Sequence, residues 1–217
     1  QKDLTSEALT LGTFTRTDVI IVYDGRLAKP AIVEQIRKKL SSIEIDVLEA
    51  VGQLERLLNK KRFALFPTMM ITERPDRVVL NLAQGKIVIF LQGTPFALVL
   101  PAVFFDFMSA MDDLYQPFWV SRSLVFLRYV SLFVTLLLPA LYVSIVSYNP
   151  EIVRVQLALS VAGSRAAVPY PSFVEVIIML FMIEALVEAS LRLPKYIGST
   201  ATTVGGLILG QSAQQAG

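Results

Sequence analysis

Apolar runs in the first hundred residues predict a small fold of strands and helices. Asp18 to Tyr23 is a short β-branched run that stops at Asp24-Gly25, which is typical of a buried strand ending in a turn. Pro30 then opens a segment whose apolar residues recur at helical spacing, which predicts an amphipathic helix with Pro in its first turn. A strand followed by a helix indicates an α/β unit.

Three further segments extend this unit. Val47 to Leu58 has the period of a helix, or of a strand running into one. Lys86 to Leu91 and Thr94 to Leu100 flank the pair Gln92-Gly93 and predict a β-hairpin, because glycine accepts the positive φ of a tight turn. Thr72 to Asp76 predicts the start of another helix, with proline fixing φ and an acid in the first turn.

The pattern changes after residue 100. Residues 101–115 are apolar with few charges and predict a helix lying at a membrane surface, with Tyr115 and Trp119 at headgroup depth. Tyr129 to Tyr148 is 20 residues without a charge, close to the ~20 that cross a hydrocarbon layer of ~30 Å as a helix. The alternative is the central helix of a soluble domain, but so short a chain has little core to enclose it. Arg128 is expected to anchor the span at the interface.

Phe173 to Ser190 is a second candidate span, and it carries glutamates. Glu184 and Glu188 are four residues apart and therefore share a helix face. An ionisable group at membrane depth normally faces a protein interior or a water-filled path, because lipid exposure is costly. These two residues are therefore candidates for a polar path. An equally weighted alternative places them at the interfacial end of the helix, near Arg192 and Lys195.

The last segment, Gly198 to Gly217, is rich in small residues. Gly206 and Gly210 are four apart and would let a second helix approach closely in a membrane, which predicts self-association; packing within the same chain is the alternative. The segment stops without a polar exit, which predicts that the chain is a fragment. Its polar residues would otherwise face lipid with unsatisfied groups: Thr202, Thr203, Gln211 and Gln214.

Composition separates the chain into the same regions. Hydrophobic residues make up 54% and charged residues 18%, against roughly 25% charged in ordinary soluble domains. Residues 1–123 hold 15 Lys/Arg and 14 Asp/Glu, and residues 124–217 only 5 and 4. We therefore predict an α/β soluble region followed by an α-helical membrane region that is multi-span and truncated at the C-terminus. The predicted boundaries are 1–100 for the α/β region, 101–123 for an interfacial connector and 124–217 for a partial set of membrane helices.

The chemistry of the side chains argues against catalysis. The chain has no Cys and no His, which removes thiolate nucleophiles, imidazole bases and the usual zinc ligands. It also lacks a phosphate-binding glycine loop, so we predict no enzyme activity, no cofactor and no metal site. The acidic pair Asp112-Asp113 is interpreted as a solvated edge. Neither half carries a net charge beyond about one unit, so nucleic acid is not an expected partner.

Short motifs resemble one family. The run Thr72-Glu73-Arg74-Pro75-Asp76 resembles the TERPD element of GerA-family A subunits, membrane proteins with which dormant endospores sense nutrients. Further motifs follow in that family's order over residues 18–217: Phe66-Pro67, Gly85-Lys86, Gly93-Thr94-Pro95-Phe96, Leu137 to Tyr142, Val168-Pro169-Tyr170-Pro171, Arg192-Leu193-Pro194-Lys195 with Ile197-Gly198, and Val204 to Gln211.

The resemblance implies a location in the inner spore membrane with a cytosolic N-terminal region. It also implies assembly with itself and with B- and C-type subunits, a small-molecule germinant as a candidate ligand, and a role in ion release at the start of germination. A structural or scaffolding membrane protein of the same machinery is the alternative. Departures from the family pattern at Gln84, Gln92, Leu180 and Val187 leave open a nutrient receptor or a divergent paralogue of the stage V sporulation AF type.

Overall fold

The structure is a computed structural model that describes residues 3–59, 66–148, 152, 154–165 and 169–216. It divides into two compact units, residues 1–128 and residues 129–217. The strands are β1 Leu4–Leu11, β2 Thr17–Asp24, β3 Met70–Thr72, β4 Ile87–Leu91 and β5 Ala97–Leu100. The helices are α1 Pro30–Ser41, α2 Val51–Leu58, α3 Pro75–Ala83, α4 Phe104–Met108, a 3₁₀ helix Met111–Tyr115, α5 Phe118–Ser147, α6 Val155–Arg165, α7 Ser172–Leu191 and α8 Lys195–Ala216.

The five strands form one sheet in the order β1-β2-β4-β5-β3, with every neighbouring pair antiparallel. The predicted hairpin is confirmed: Ile87 lies opposite Leu100 and Phe90 opposite Ala97. Gly93 turns the chain between them at φ 86°, a conformation that costs a side-chain-bearing residue about 1–2 kcal/mol. The predicted helix starts at Pro30 and Pro75 and the strand near Asp18 are confirmed as well.

Two hydrophobic clusters lie on opposite faces of the sheet, because side chains alternate along a strand. Helices α1 and α2 cover the face that carries Ile87 and Ile89. Helix α3 covers the other face through Val78 and Leu82, which pack with Val88 of β4. The α/β region is therefore a three-layer unit with its own core.

The edge strand β1 was not anticipated from the sequence. It pairs with β2 over eight residues, from Leu4 opposite Asp24 to Leu11 opposite Thr17. Glu7 also fastens it to α1 and β2, since its Oε1 accepts hydrogen bonds from Arg37 at 2.6 Å and from Tyr23 at 2.7 Å. The first of these bonds contributes most to lowering the pKa of Glu7.

The prediction of one helix over residues 101–115 is wrong. The structure forms two short helices there, α4 and the 3₁₀ helix, with extended backbone at Val103, Ser109 and Ala110. The cause is two aspartates. Asp106 accepts a hydrogen bond from the backbone N–H of Val103 at 2.8 Å, and Asp113 accepts one from that of Ala110 at 3.0 Å. Each carboxylate thus satisfies a backbone donor at a helix start.

The second unit consists of helices. Helix α5 contains the uncharged run from Tyr129 and begins eleven residues earlier, at Phe118. Among the described residues it is the one helix long and apolar enough to cross a membrane, judged by length and composition. Helix α7 confirms that the predicted segment Phe173–Ser190 is helical, and its crossing of a membrane stays a prediction. Helices α7 and α8 pack against each other as a hairpin.

Candidate functional site: a charged clasp on the connector

The first turn of α3 holds the TERPD-like motif and binds the connector. The guanidinium of Arg74 donates two hydrogen bonds to the carboxylate of Asp76, at 3.2 and 2.9 Å. Its third nitrogen donates to Asp112 at 2.9 Å. The phenol of Tyr115 donates to Asp76 at 3.2 Å. The two ends of the 3₁₀ helix are therefore both attached to the start of α3.

Arg77, one residue further into α3, binds the backbone of the connector. Its Nη2 donates to the carbonyl of Asp106 at 2.5 Å and to that of Ser109 at 3.3 Å. These carbonyls lie at the end of α4, where helical carbonyls lack partners of their own. The guanidinium therefore closes the gap between the two short helices.

Asp106 also receives a cation from the sheet. Lys86, which immediately precedes β4, places its Nζ 2.7 Å from Asp106 Oδ1, and both side chains are largely enclosed. Asp106 Oδ2 meanwhile caps the start of α4. This ion pair is the only polar contact of the enclosed Lys86 ammonium among the described residues.

Asp113 repeats this arrangement seven residues later, with a cation from α5. Arg128 donates to both carboxylate oxygens of Asp113, at 2.9 and 3.3 Å, and also to the carbonyl of Met108. The Asp113 side chain is only 9% exposed, so the pair is better shielded than an ordinary surface ion pair. The guanidinium predicted to anchor α5 at an interface thus binds the connector.

These contacts form one network, here called the charged clasp. It joins α3, the base of β4, the connector and the first three turns of α5. Its residues are Arg74, Asp76, Arg77, Lys86, Asp106, Asp112, Asp113, Tyr115 and Arg128.

The clasp keeps its carboxylates ionised. The hydrogen bonds from Arg74 lower the pKa of Asp76 to about 2, and the bond from Arg128 is the main reason that the pKa of Asp113 is lowered. Burial by itself would raise the pKa of Asp106, but Lys86 and the N–H of Val103 outweigh it and the pKa is lowered. All three aspartates are therefore negatively charged near neutral pH.

Other motif residues lie elsewhere. Glu73 is exposed beside the clasp, and Gly93, Pro95 and Phe96 line an apolar cleft of about 400 Å³ with Ile71 and the start of α2. Described residues offer no group of three or more acidic side chains that could hold a metal ion.

In the second unit the motif residues mark helix ends. Pro171 directly precedes α7, and the carbonyl of Pro194 accepts the first backbone hydrogen bonds of α8, from Ile197 and Gly198, each at 2.9 Å. Pro169 is exposed. Val168 and the side chain of Lys195 lie outside the described part of the chain.

The two glutamates of the predicted polar path differ in their contacts. Glu188 accepts a hydrogen bond from Arg192 at 2.7 Å, one turn away at the end of α7. Glu184 is exposed. The ion pair agrees with the interfacial alternative for Glu188, and the polar path stays a prediction.

The glycines of α8 divide into two faces. A methyl group at Gly198 would lie 2.7 Å from the carbonyl oxygen of Ser190, and one at Gly205 would lie 2.6 Å from Leu186, so these two glycines allow α7 to approach. Gly206 and Gly210 have no atom within 4 Å of such a methyl group. Packing inside the described chain thus leaves the predicted contact face open, and self-association stays a prediction.

The expectation that Thr202 and Thr203 would have unsatisfied hydroxyls is wrong. The hydroxyl of Thr202 donates to the carbonyl of Gly198 at 2.9 Å, and that of Thr203 to the carbonyl of Ser199 at 3.0 Å. Both hydroxyls are therefore satisfied within their own helix, as is common for threonine in membrane helices, and they do not require a second chain.

Comparison with known proteins identifies the same family that the short motifs resemble. The family described as Bacillus/Clostridium GerA spore germination protein matches residues 1–217. Spore germination protein B1 of Bacillus subtilis (strain 168) is 44% identical over 215 residues, covering 99% of this chain and 44% of the relative. An uncharacterized membrane protein of the same organism, YfkQ, is 39% identical over 207 residues, covering 95% of this chain and 40% of the relative.

A solved structure is also similar in sequence. It is the N-terminal domain of the A subunit of the Bacillus megaterium spore germinant receptor GerK3, at 42% identity, with 48% of this chain and 82% of that chain covered and a TM-score of 0.38. The chain spans less than half the length of the curated relatives it matches. With its full length matched by the family and relatives at this level of identity, the chain belongs to the GerA family of spore germination proteins.

Proposed function

We propose that this chain is part of the A-type subunit of a spore germination receptor in the inner spore membrane. Family membership and the similarity to spore germination protein B1 support a role in germination. In this proposal the α/β region lies in the cytosol, α5 is the first of several spans, and the subunit works with B- and C-type partners without catalysing a reaction. Its activity is to sense a germinant or to take part in ion release.

The observation that carries the mechanism is the charged clasp. Helix α5 is continuous from Phe118 to Ser147, so a displacement at its first turns is carried along the whole helix. Arg128 binds that part of α5 to the connector, and Arg74 binds the connector to α3. A movement of the α/β region, caused by ligand or partner, would therefore reach α5 through side-chain contacts and not through a flexible linker.

The coupling role can be tested by substituting Arg74 in the full-length receptor in spores. Arg74→Gln removes the charge that holds both Asp76 and Asp112. We expect germinant-triggered ion release to slow by roughly 5-fold or more, the size of a typical coupling between sites. The matched control is Arg26→Gln, which also breaks an exposed ion pair, with Asp3 at 2.8 Å, but lies outside the clasp.

Two outcomes would count against coupling. Normal ion release in the Arg74→Gln receptor, present at normal level in the membrane, would show that the clasp transmits nothing. Equal slowing in the Arg26→Gln receptor would show a general loss of stability.

A scaffolding role is the second candidate, because Arg192 neutralises one of the two glutamates proposed to line a polar path. Ion flux through the reconstituted full-length receptor with its partners separates the two. If Glu184→Gln lowers the flux, a conducting role is supported. If no partner set gives flux, the scaffold is favoured.

A further inference from the structure

The first three turns of α5 carry large apolar side chains that the described fold leaves uncovered. Trp119 is 79% exposed and Phe126 70% exposed, and Phe118 is also exposed. The connector contacts this part of α5 through Arg128, which lies half a turn around the helix axis from Trp119. So large an exposed apolar surface indicates an interaction site.

Helix length identifies what can cover these side chains. The 30 residues of α5 measure about 45 Å at 1.5 Å per residue. A bilayer measures ~30 Å across its hydrocarbon and ~40–45 Å with both headgroup layers. Trp119 and Tyr148 lie near the two ends of this helix, and such aromatic side chains favour the headgroup layers. The helix therefore fits the complete bilayer, with its first turn in one headgroup layer.

The charges fit the same placement. The guanidinium of Arg122 lies 5.2 Å from the centre of the Phe118 ring, and no carboxylate pairs with it among the described residues. An exposed cation on an aromatic surface is suited to a lipid phosphate. Arg128 is deeper along α5, but helical side chains lean toward the N-terminus, so its guanidinium lies nearer the surface, where Asp113 neutralises it.

We propose that Phe118, Trp119 and Arg122 form an interfacial collar that lies in the headgroup layer of an anionic bilayer, with Arg122 contacting lipid phosphate and Phe126, about 12 Å beyond Phe118 along the helix, entering the hydrocarbon. The collar holds the charged clasp at the membrane surface. This placement concerns only the depth of α5 and does not depend on whether the chain senses a germinant.

Trp119 reports on the collar directly, because it is the only tryptophan of the chain. The 217-residue chain is reconstituted into phosphatidylcholine vesicles with and without phosphatidylglycerol. We expect blue-shifted emission, quenched more strongly by lipids brominated near the headgroup than by lipids brominated near the chain ends. The matched control moves the probe to Phe14, 87% exposed in the β1–β2 turn, with Trp119→Phe and Phe14→Trp. That variant should emit at long wavelength and be quenched by aqueous acrylamide.

Each other result overturns the collar. Trp119 quenched only by acrylamide would place it in water, and blue-shifted emission without lipid quenching would place it against a protein surface. Stronger quenching from the chain ends would place it in hydrocarbon. If Arg122 contacts lipid phosphate, phosphatidylglycerol should increase the quenching of Trp119 by the headgroup-brominated lipid. Arg122→Glu should abolish this increase, whereas Arg122→Lys should retain it; an unchanged response in Arg122→Glu would exclude the phosphate contact.

Discussion

The two units of the chain differ in how much apolar surface they bury. In the α/β unit most enclosed side chains are apolar, such as Val88, Leu98 and Val99 at 0% exposure, and Asn81 and Asp113 are buried polar exceptions. In the helical unit α5 has no buried residue along its 30 positions, and Ser172 is the one buried polar side chain described there. The proposed placement accounts for this difference, with the first unit in water and α5 in lipid.

All residues of the charged clasp lie within residues 74–128, in the first unit. Polar pairs are weak where water competes for them and stronger where it is excluded. Half-enclosed pairs such as Lys86 with Asp106 and Arg128 with Asp113 therefore hold the connector to the base of β4 and to the first three turns of α5.

Aspartate substitutions at two leucines should have the largest effects on the protein and should affect the two units differently. Leu98→Asp places a charge in the enclosed sheet core and should destabilise the α/β unit by roughly 3–5 kcal/mol. Leu137→Asp, on exposed α5, should leave that unit folded and oppose membrane insertion by about 2.5–3.5 kcal/mol. Denaturant unfolding followed by circular dichroism measures the stability of the α/β unit. Flotation with lipid vesicles measures membrane insertion. If Leu137→Asp also unfolded the α/β unit, the two units would not fold independently, contrary to this prediction.

Substitutions at two glycines of α8 test which side of this helix packs against α7. Gly198→Ala pushes a methyl group against the backbone of Ser190 and should destabilise the α7–α8 hairpin by about 1–3 kcal/mol. Gly206→Ala meets open space and should be neutral or slightly stabilising, since alanine favours a helix over glycine by roughly 0.5–1 kcal/mol. Thermal unfolding in detergent compares them. Equal stability of the two variants would show that α8 does not pack through Gly198.

The open face can be tested with a larger substitution at the same site. Gly206→Leu should keep the hairpin but remove the cross-linked oligomer ladder in native membranes if this face contacts a second copy. An unchanged ladder with intact folding would assign the face to another contact and end the self-association proposal for Gly206 and Gly210.

The smallest expected effect is the pH dependence of the clasp. Because the folded pKa of Asp76 is lowered from 3.8 to about 2, its ionised form adds stability that is complete above pH 3.8 and is lost as the pH falls toward about 2. Asp76→Asn should therefore lower the unfolding midpoint at neutral pH, and its difference from the unsubstituted protein should shrink in that acidic window. A difference that stays constant from neutral pH down to about 2 would show that the carboxylate's charge is not the cause.

Local patterns predicted the elements that local physics determines. The hairpin around Gly93 and the helices that begin near Pro30 and Pro75 follow from turn geometry and helical spacing. Strand β1 could not be recognised, because an edge strand shares its ladder with one neighbour and its sequence LTSEALTL alternates only weakly. The three-residue β3 likewise exists through its pairing with β5.

The charged clasp could not be predicted from the sequence because its contacts join residues that are far apart in the chain. Arg74 and Asp112 are 38 residues apart, and no sequence pattern predicts that they are in contact. Arg128 was expected to reach lipid, and Asp112-Asp113 was interpreted as a solvated edge. The one local signal was the repeat of an aspartate three residues into a helix, at Asp106 and Asp113, which predicts two helix starts where apolar content suggested a single helix.

Cysteine labelling can test whether the α/β unit is in water and α5 is in lipid, since the chain has no cysteine of its own. Val134 and Val79 are both exposed valines, at 47% and 56%, but Val134 lies in α5 and Val79 on α3. In intact membranes with the α/β side accessible, a water-soluble maleimide should label Val79→Cys readily and leave Val134→Cys unlabelled until the membrane is dissolved. If Val134→Cys were labelled in the intact membrane at the rate of Val79→Cys, position 134 would be in water and α5 would not cross the membrane there.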